Sequence, residues 1–304
     1  MDRREFIKKS LQLGIGLSAV TKLPVFDLVS MVRAEDKPEP IVSVSKGTDY
    51  RKLVIDAVEK LGGMKKYIKK GEVVVVKPNI AWDSSPEFGA NTHPIVAKTV
   101  VELCLEAGAK KVNVFDRSAN EPRRSYKNSG IQDAIKEIDD DRVEISFVEN
   151  HKFVTLDIKG GVGLKQWSFY KEALKADKLI NVPVAKHHGL AKLTIGMKNM
   201  MGVIGGSRGD IHRGLDQNLV DINTVVKSDL TIVDATRIMI SNGPTGGSLD
   251  FIKKMDTVIA SPDIVAADSY TATLFGLKGD DLGYVNIAYK TGLGEKDLNK
   301  IKIV

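Results

Sequence analysis

The stretch "EVVVVKPN", residues 72–79, decides how the rest of the chain is read. Four consecutive valines without polar alternation fit a strand covered on both faces, as in a parallel sheet. The run stops at Lys77, Pro78 and Asn79, so the strand delivers a lysine and an amide to its carboxyl end.

Outward from this strand the pattern alternates. On its amino side, "DYRKLVIDAVEKLGG" (49–63) has helical spacing and closes on glycines. On its carboxyl side, "THPIVAKTVVELCLEAG" (92–108) predicts a helix with Thr92 near its cap, Pro94 in its first turn and Gly108 at its stop. Strands are expected at "KKVNVFD" (110–116) and "VEISFVE" (143–149), with a short helix at "SGIQDAIKEI" (129–138) between them. A second series has strands at "ADKLINVPV" (176–184), "DLTIVDA" (229–235) and "MDTVIAS" (255–261), and a helix at "PDIVAADSYTATLFGL" (262–277). Leu190, Leu193, Met197, Met200 and Ile204 recur at helical spacing and predict one long helix starting near Gly189. "KGGVG" (159–163) and "GPTGGS" (243–248) read as loops. The whole is an α/β protein with a largely parallel sheet flanked by helices, a size that also accommodates two lobes.

Composition narrows the function. The chain has 304 residues and one cysteine, Cys104, so an iron–sulfur cluster and a cysteine-type zinc site are excluded. Cys104 falls in the helix at 92–108 and is expected to be a buried, inert thiol. The formal charge is +6, and residues 1–34 carry six basic and three acidic side chains. The remainder, with 39 basic and 36 acidic residues, has no arginine-rich stripe, which argues against a nucleic-acid partner.

Residues 1–34 have the layout of an export signal: Arg3 and Arg4, then Phe6, Ile7 and Lys8, an apolar run at 11–20, and "VRA" (32–34) before the polar linker "EDKPEP" (35–40). The arginine pair resembles the twin-arginine pattern, with Asp2 where Ser or Thr is usual and Ile7 in the leucine place. This resemblance implies the twin-arginine translocase as a transient partner and a periplasmic or outer-face location. The apolar run is too short for a stable membrane span, unless an uncleaved signal serves as an anchor. The expected organisation is signal 1–34, linker 35–40, one α/β domain 41–296 and a tail 297–304.

In open parallel sheets, ligands bind beyond the carboxyl ends of strands. The expected strand ends carry Lys77 with Asn79, Asp116, Lys186 with His188, and Asp234. His93, His188 and His212 fall in loops flanking these ends and are candidate ligands for a transition metal or a metal-bearing cofactor. His151 reads as a surface residue at a strand end. A helix beginning at Gly189, preceded by Lys186 and His188, would favour an anion. "GGSRG" (205–209) matches G-x-S-x-G, but a helix is expected before it where a nucleophile elbow needs a strand. Asp116, Lys186 and His188 are the candidate catalytic groups. Lys77, Asn79, Lys198, Asn199 and Asp234 are the candidate groups for binding a cofactor or a small anionic ligand.

The stretches at 73–82, 91–118, 176–206 and 229–277 together resemble the domain of unknown function 362 family. The most specific part is Lys-x-His followed by Lys-Asn-x-x-Gly: Lys186, His188, Lys198, Asn199 and Gly202. The resemblance spans about residues 40–295. It implies an α/β fold but brings no settled activity, and the cysteine-rich module of some relatives is missing. The layout is also distantly similar to nickel-dependent lactate racemases, without a residue-by-residue match. Two readings follow: an exported enzyme or cofactor-binding protein, and an exported small-anion-binding protein without catalysis.

Overall fold

A computed structural model of the chain describes residues 39–304, which form one compact unit. The expected export signal and most of the linker lie outside the described residues. The strands are β1 (Ile41–Lys46), β2 (Val73–Pro78), β3 (Lys111–Val114), β4 (Val143–Ile145), β5 (Phe153–Asp157), β6 (Gln166–Tyr170), β7 (Lys178–Val182), β8 (Val184–His188), β9 (Lys192–Thr194), β10 (Leu230–Met239), β11 (Ile252–Ser261) and β12 (Lys302–Ile303). The helices are α1 (Tyr50–Glu59), α2 (Pro94–Glu106), α3 (Pro122–Asn128), α4 (Ile131–Lys136), α5 (Lys171–Lys175), α6 (Gly196–Asn199), α7 (Leu215–Val225), α8 (Ile264–Ala272) and α9 (Gly283–Lys290).

Ten strands share one sheet, in the order β12-β1-β11-β10-β7-β2-β3-β4, with β8 beside β10 and β9 beside β8. The pairs β2–β3, β2–β7, β3–β4, β7–β10, β8–β10 and β1–β12 are parallel, while β11 runs antiparallel to both neighbours. The expected α/β class and largely parallel sheet are therefore present. The final residues, expected as a tail, supply β12, which pairs with β1.

Local chemistry sets the helix starts. Asp49 accepts the Lys52 N–H at the start of α1, and Asp263 accepts those of Val265 and Ala266 at the start of α8. Pro94 opens α2, and Gly108 follows that helix at a φ of 95°, a conformation that favours glycine. Cys104 is buried on α2, and burial pushes its thiol well above the ordinary range. Val74 and Val76 join α1 and α2 in one apolar core, as do Ile180 and Val182 of β7. Because side chains alternate along a strand, Lys77 and Asn181 point to the opposite face. They are also register partners across β2 and β7. The face opposite α1 and α2 thus carries polar groups at the carboxyl end of the sheet.

The long helix expected from residue 189 onward is not formed. Residues 189–191 turn a hairpin between β8 and β9, α6 follows as a single turn, and Met200–Val203 form a 3-10 turn. Leu190 stands at the hairpin tip, 71% exposed, whereas Leu193, Met197, Met200 and Ile204 are buried. Almost every residue from Leu193 to Ile204 is buried, so apolar periodicity carries little information about conformation there. The anion site expected at a helix start by Gly189 is accordingly not present.

Candidate functional site

Three lysines meet on this polar face. Lys77, Lys186 and Lys198 are 0%, 1% and 8% exposed. Lys77 leaves the end of β2, Lys186 lies in β8, and Lys198 lies in α6. Lys77 Nζ is 2.8 Å from Asp116 Oδ1, within a pair that is almost wholly buried. It also donates to the Pro78 carbonyl at 2.9 Å. Asp116 Oδ2 accepts the Ile80 N–H at 2.7 Å, and Tyr126 Oη accepts the Asp116 N–H at 2.8 Å. The carboxylate is therefore fixed from both sides.

Lys186 donates to the Ala90 carbonyl, lies 3.5 Å from Asn79 Oδ1, and sits 5.9 Å from the centre of the Trp82 ring. Among the described residues no carboxylate is within ion-pair distance of it or of Lys198. Lys198 reaches Met201 Sδ at 3.2 Å, a weak acceptor. Burial lowers both ammonium groups, Lys186 to about 7 and Lys198 to about 8. Repulsion from Lys198 and Lys77 adds to the shift at Lys186, and Asp116 opposes it. Arg208 adds to the shift at Lys198. These mutual effects place the lysines in one electrostatic neighbourhood, with Asp116 as the acid acting on it.

A ladder of asparagines orders the floor. Asn79 Nδ2 donates to Asn199 Oδ1 at 3.0 Å, Asn199 Nδ2 to Asn181 Oδ1 at 2.8 Å, and Asn181 Nδ2 to the Gly196 carbonyl at 3.0 Å. The ladder ties β2 and β7 to α6. Asp268 of α8 clamps the start of α6 by accepting the Gly196 and Met197 N–H groups at 2.7 and 3.0 Å. The position of Lys198 is thus set by residues from β2, β7 and α8.

His188 and His212 approach the cluster, their rings nearly parallel with centres 5.9 Å apart. Burial, together with Lys198 and His212, lowers His188 to about 3, so its ring is neutral at ordinary pH. His188 Nδ1 accepts the N–H groups of Leu190 and Ala191 at 3.1 and 3.2 Å. The proton of the neutral ring then belongs on Nε2, which makes that nitrogen a donor. This is the wrong tautomer for metal ligation through Nε2.

His93 lies elsewhere. It caps α2 by accepting the Ile95 N–H, packs edge-on against Tyr50 at 4.9 Å, and lines a cleft of about 690 Å³ with Arg51, Lys98 and Glu102. The expected ligand set His93, His188 and His212 is therefore not assembled. Among the described residues no group of three His, Cys, Asp or Glu side chains could hold a metal. Asp234 also departs from expectation. It lies inside β10, which continues to Met239, and its carboxylate accepts the His93 N–H and both the N–H and hydroxyl of Thr236. It ties two chain segments together rather than facing the lysines. His151 is a surface residue beside Glu149.

Arg208, Trp82, Asn181 and Gly202 complete the surroundings, and only Gly202 stood out in the sequence. Arg208 donates to the carbonyls of Arg117 and Ser118 and acts electrostatically on Asp116, Lys77 and Lys198. It comes from the "GGSRG" loop, which follows a 3-10 turn and so does not form a nucleophile elbow. Chemically, the centre offers positive charge for an anion. It also offers an amine that loses its proton near neutrality, which suits a general base or nucleophile.

The chain matches the family described as Domain of unknown function (DUF362) over residues 74–273, and it belongs to that family. A thylakoid-associated protein of Synechocystis sp. is 29% identical over 219 residues, covering 69% of this chain and 65% of that protein. The chain therefore spans less than two thirds of that relative's length. A structural-genomics protein of Thermotoga maritima aligns with a TM-score of 0.47 at 14% identity, over 76% of this chain and 60% of its own. The lactate racemase apoprotein of Thermoanaerobacterium thermosaccharolyticum aligns with a TM-score of 0.46 at 10% identity, over 78% and 57%. Among the described residues no helix is long and apolar enough to cross a membrane.

Proposed function

We propose that this member of the DUF362 family is an enzyme that binds the anionic group of a small substrate or cofactor on Lys186 and Lys198, beside the Lys77–Asp116 pair. Lys186 serves as its acid–base group. The observation that carries this reading is the burial of three lysines that act on one another, of which Lys77 alone among the described residues is paired with a carboxylate, Asp116. Desolvated ammonium groups without counter-charge lose their protons, and a bound anion restores them. Lys77 is committed to Asp116, which leaves Lys186 and Lys198 to meet the ligand. The neutral His188, with its proton on Nε2, supplies a hydrogen bond and no charge.

Isothermal titration with sulfate tests the reading, because sulfate keeps its charge across neutral pH. Lys186→Ala and Lys198→Met are each expected to weaken binding by about tenfold, the size of one charge-assisted contact. Parent-like sulfate affinity in both variants, or no binding to the parent protein, would remove the basis for the reading.

We also propose export by the twin-arginine route, supported by Arg3 and Arg4 ahead of Phe6 and the apolar run. The Synechocystis relative is named for its association with thylakoids, which accords with a place at or beyond a membrane.

A further inference from the structure

A second cleft, of about 520 Å³, adjoins the lysine site. Its walls come from the segments following β2, β3 and β10, at the carboxyl edge where open parallel sheets receive ligands. Trp82 belongs to both places. It lines the cleft, and its ring lies 5.9 Å from Lys186 Nζ.

The lining combines aromatic surface with neutral hydrogen-bonding groups. Trp82 and Phe88 supply the first, and Asn120, Asn128 and Thr245 the second. Asp83 also lines the cleft, but its charge is met there. Arg124 Nη2 lies 2.5 Å from one carboxylate oxygen, and Asn128 Nδ2 donates to the other. Asn120 accepts the Asp83 N–H through its oxygen, which leaves its amide N–H groups for a ligand.

The walls are also braced. Asn91 accepts the Trp82 N–H and donates to the carbonyls of Trp82 and Ser84. On the opposite wall, Gly243 donates its N–H to His187 Nδ1, and a Cβ at Gly243 would overlap the His187 carbonyl. The loop that carries Thr245 is therefore anchored to the residue next to Lys186.

Aromatic rings flanked by amides and a hydroxyl suit a polyhydroxylated chain or ring, whose C–H face packs on an indole while its hydroxyls take and give hydrogen bonds. We propose that the cleft binds the hydroxylated part of a sugar acid or sugar phosphate, with Trp82 at the junction and the anionic group on Lys186 and Lys198. This inference rests on the anion-binding reading above and adds the substrate class to it.

The test compares gluconate with acetate, and glucose 6-phosphate with inorganic phosphate, by calorimetric titration of the full chain. Each hydroxylated anion is expected to bind about tenfold or more tighter than its simple partner, as one or two added hydrogen bonds would allow. Thr245→Phe places a ring in the cleft from an exposed loop position, so the fold is retained, which circular dichroism checks. This variant should lose the advantage of the hydroxylated anions while binding acetate and phosphate as the parent does. Lys186→Ala should weaken all four. Equal binding of hydroxylated and simple anions by the parent, or an undiminished advantage in Thr245→Phe, overturns the cleft assignment and leaves the anion site standing. Failure of all four anions to bind overturns both.

Discussion

Gly202 lies against Asp116: a Cβ at Gly202 would overlap Asp116 Oδ1 and come 2.5 Å from Lys77 Cε. The glycine that closes the Lys-Asn-x-x-Gly motif is there because the buried ion pair leaves no room for a side chain. Its φ is not in the left-handed region, so the requirement is one of space.

Gly202→Ala is therefore expected to force the pair apart and to cost about 1–3 kcal/mol, as overpacking does elsewhere. Gly209→Ala is the control, since a Cβ there meets only Ser207 Oγ at 3.9 Å. Urea unfolding measures both. A Gly202→Ala protein as stable as the parent would contradict the close packing over Asp116.

The lysines predict how anion binding responds to pH. In the free protein Lys186 is lowered to about 7 and Lys198 to about 8, and a bound anion raises both. Binding therefore takes up protons above pH 7. Sulfate affinity is highest below pH 7 and falls by up to about tenfold per pH unit for each lysine that must be protonated. Lys186→Met should flatten this fall by one proton. A titration series from pH 6 to 9 with constant affinity would argue against these lysines as the binding groups.

Asp268 positions Lys198 from a distance. Its carboxylate is the clamp at the start of α6, and burial raises it to about 7. Asp268→Ala removes both acceptors and is expected to cost about 1–2 kcal/mol, the range for loss of a helix cap. It should also weaken sulfate binding, although Asp268 lies outside the lysine cluster. Loss of stability with sulfate affinity intact would show that α6 holds Lys198 in place without the clamp.

Export has its own test. Arg3→Lys combined with Arg4→Lys keeps the charge of the leader and removes the arginine pair. The expected result is retention of the precursor inside the cell, read by fractionation and immunoblotting. Normal export of the double variant would set the twin-arginine proposal aside.

Local sequence is enough for the α/β class and for the charged groups at the ends of its strands. The valines of β2 announce a strand covered on both faces, and Pro94 and Gly108 mark the two ends of α2 through local backbone preferences. Lys77, Asp116 and Lys186 are legible as charges at the ends of apolar strands, and Lys198 as part of the Lys-Asn-x-x-Gly motif. The remainder depends on contacts between residues far apart in the chain. Residues 189–203 have the apolar spacing of a helix, yet they form a hairpin and two short turns, held by Asp268 and the asparagine ladder. His93 and His212 read alike as loop histidines. The fold sends His93 to the cap of α2 and stacks His212 on His188. Arg208 and Trp82 carry no local signal, because a surface side chain and one aimed at a buried charge have the same spacing in the chain. Local periodicity reports which face of an element is apolar, whereas the partner across that face is set by the packing of the whole sheet.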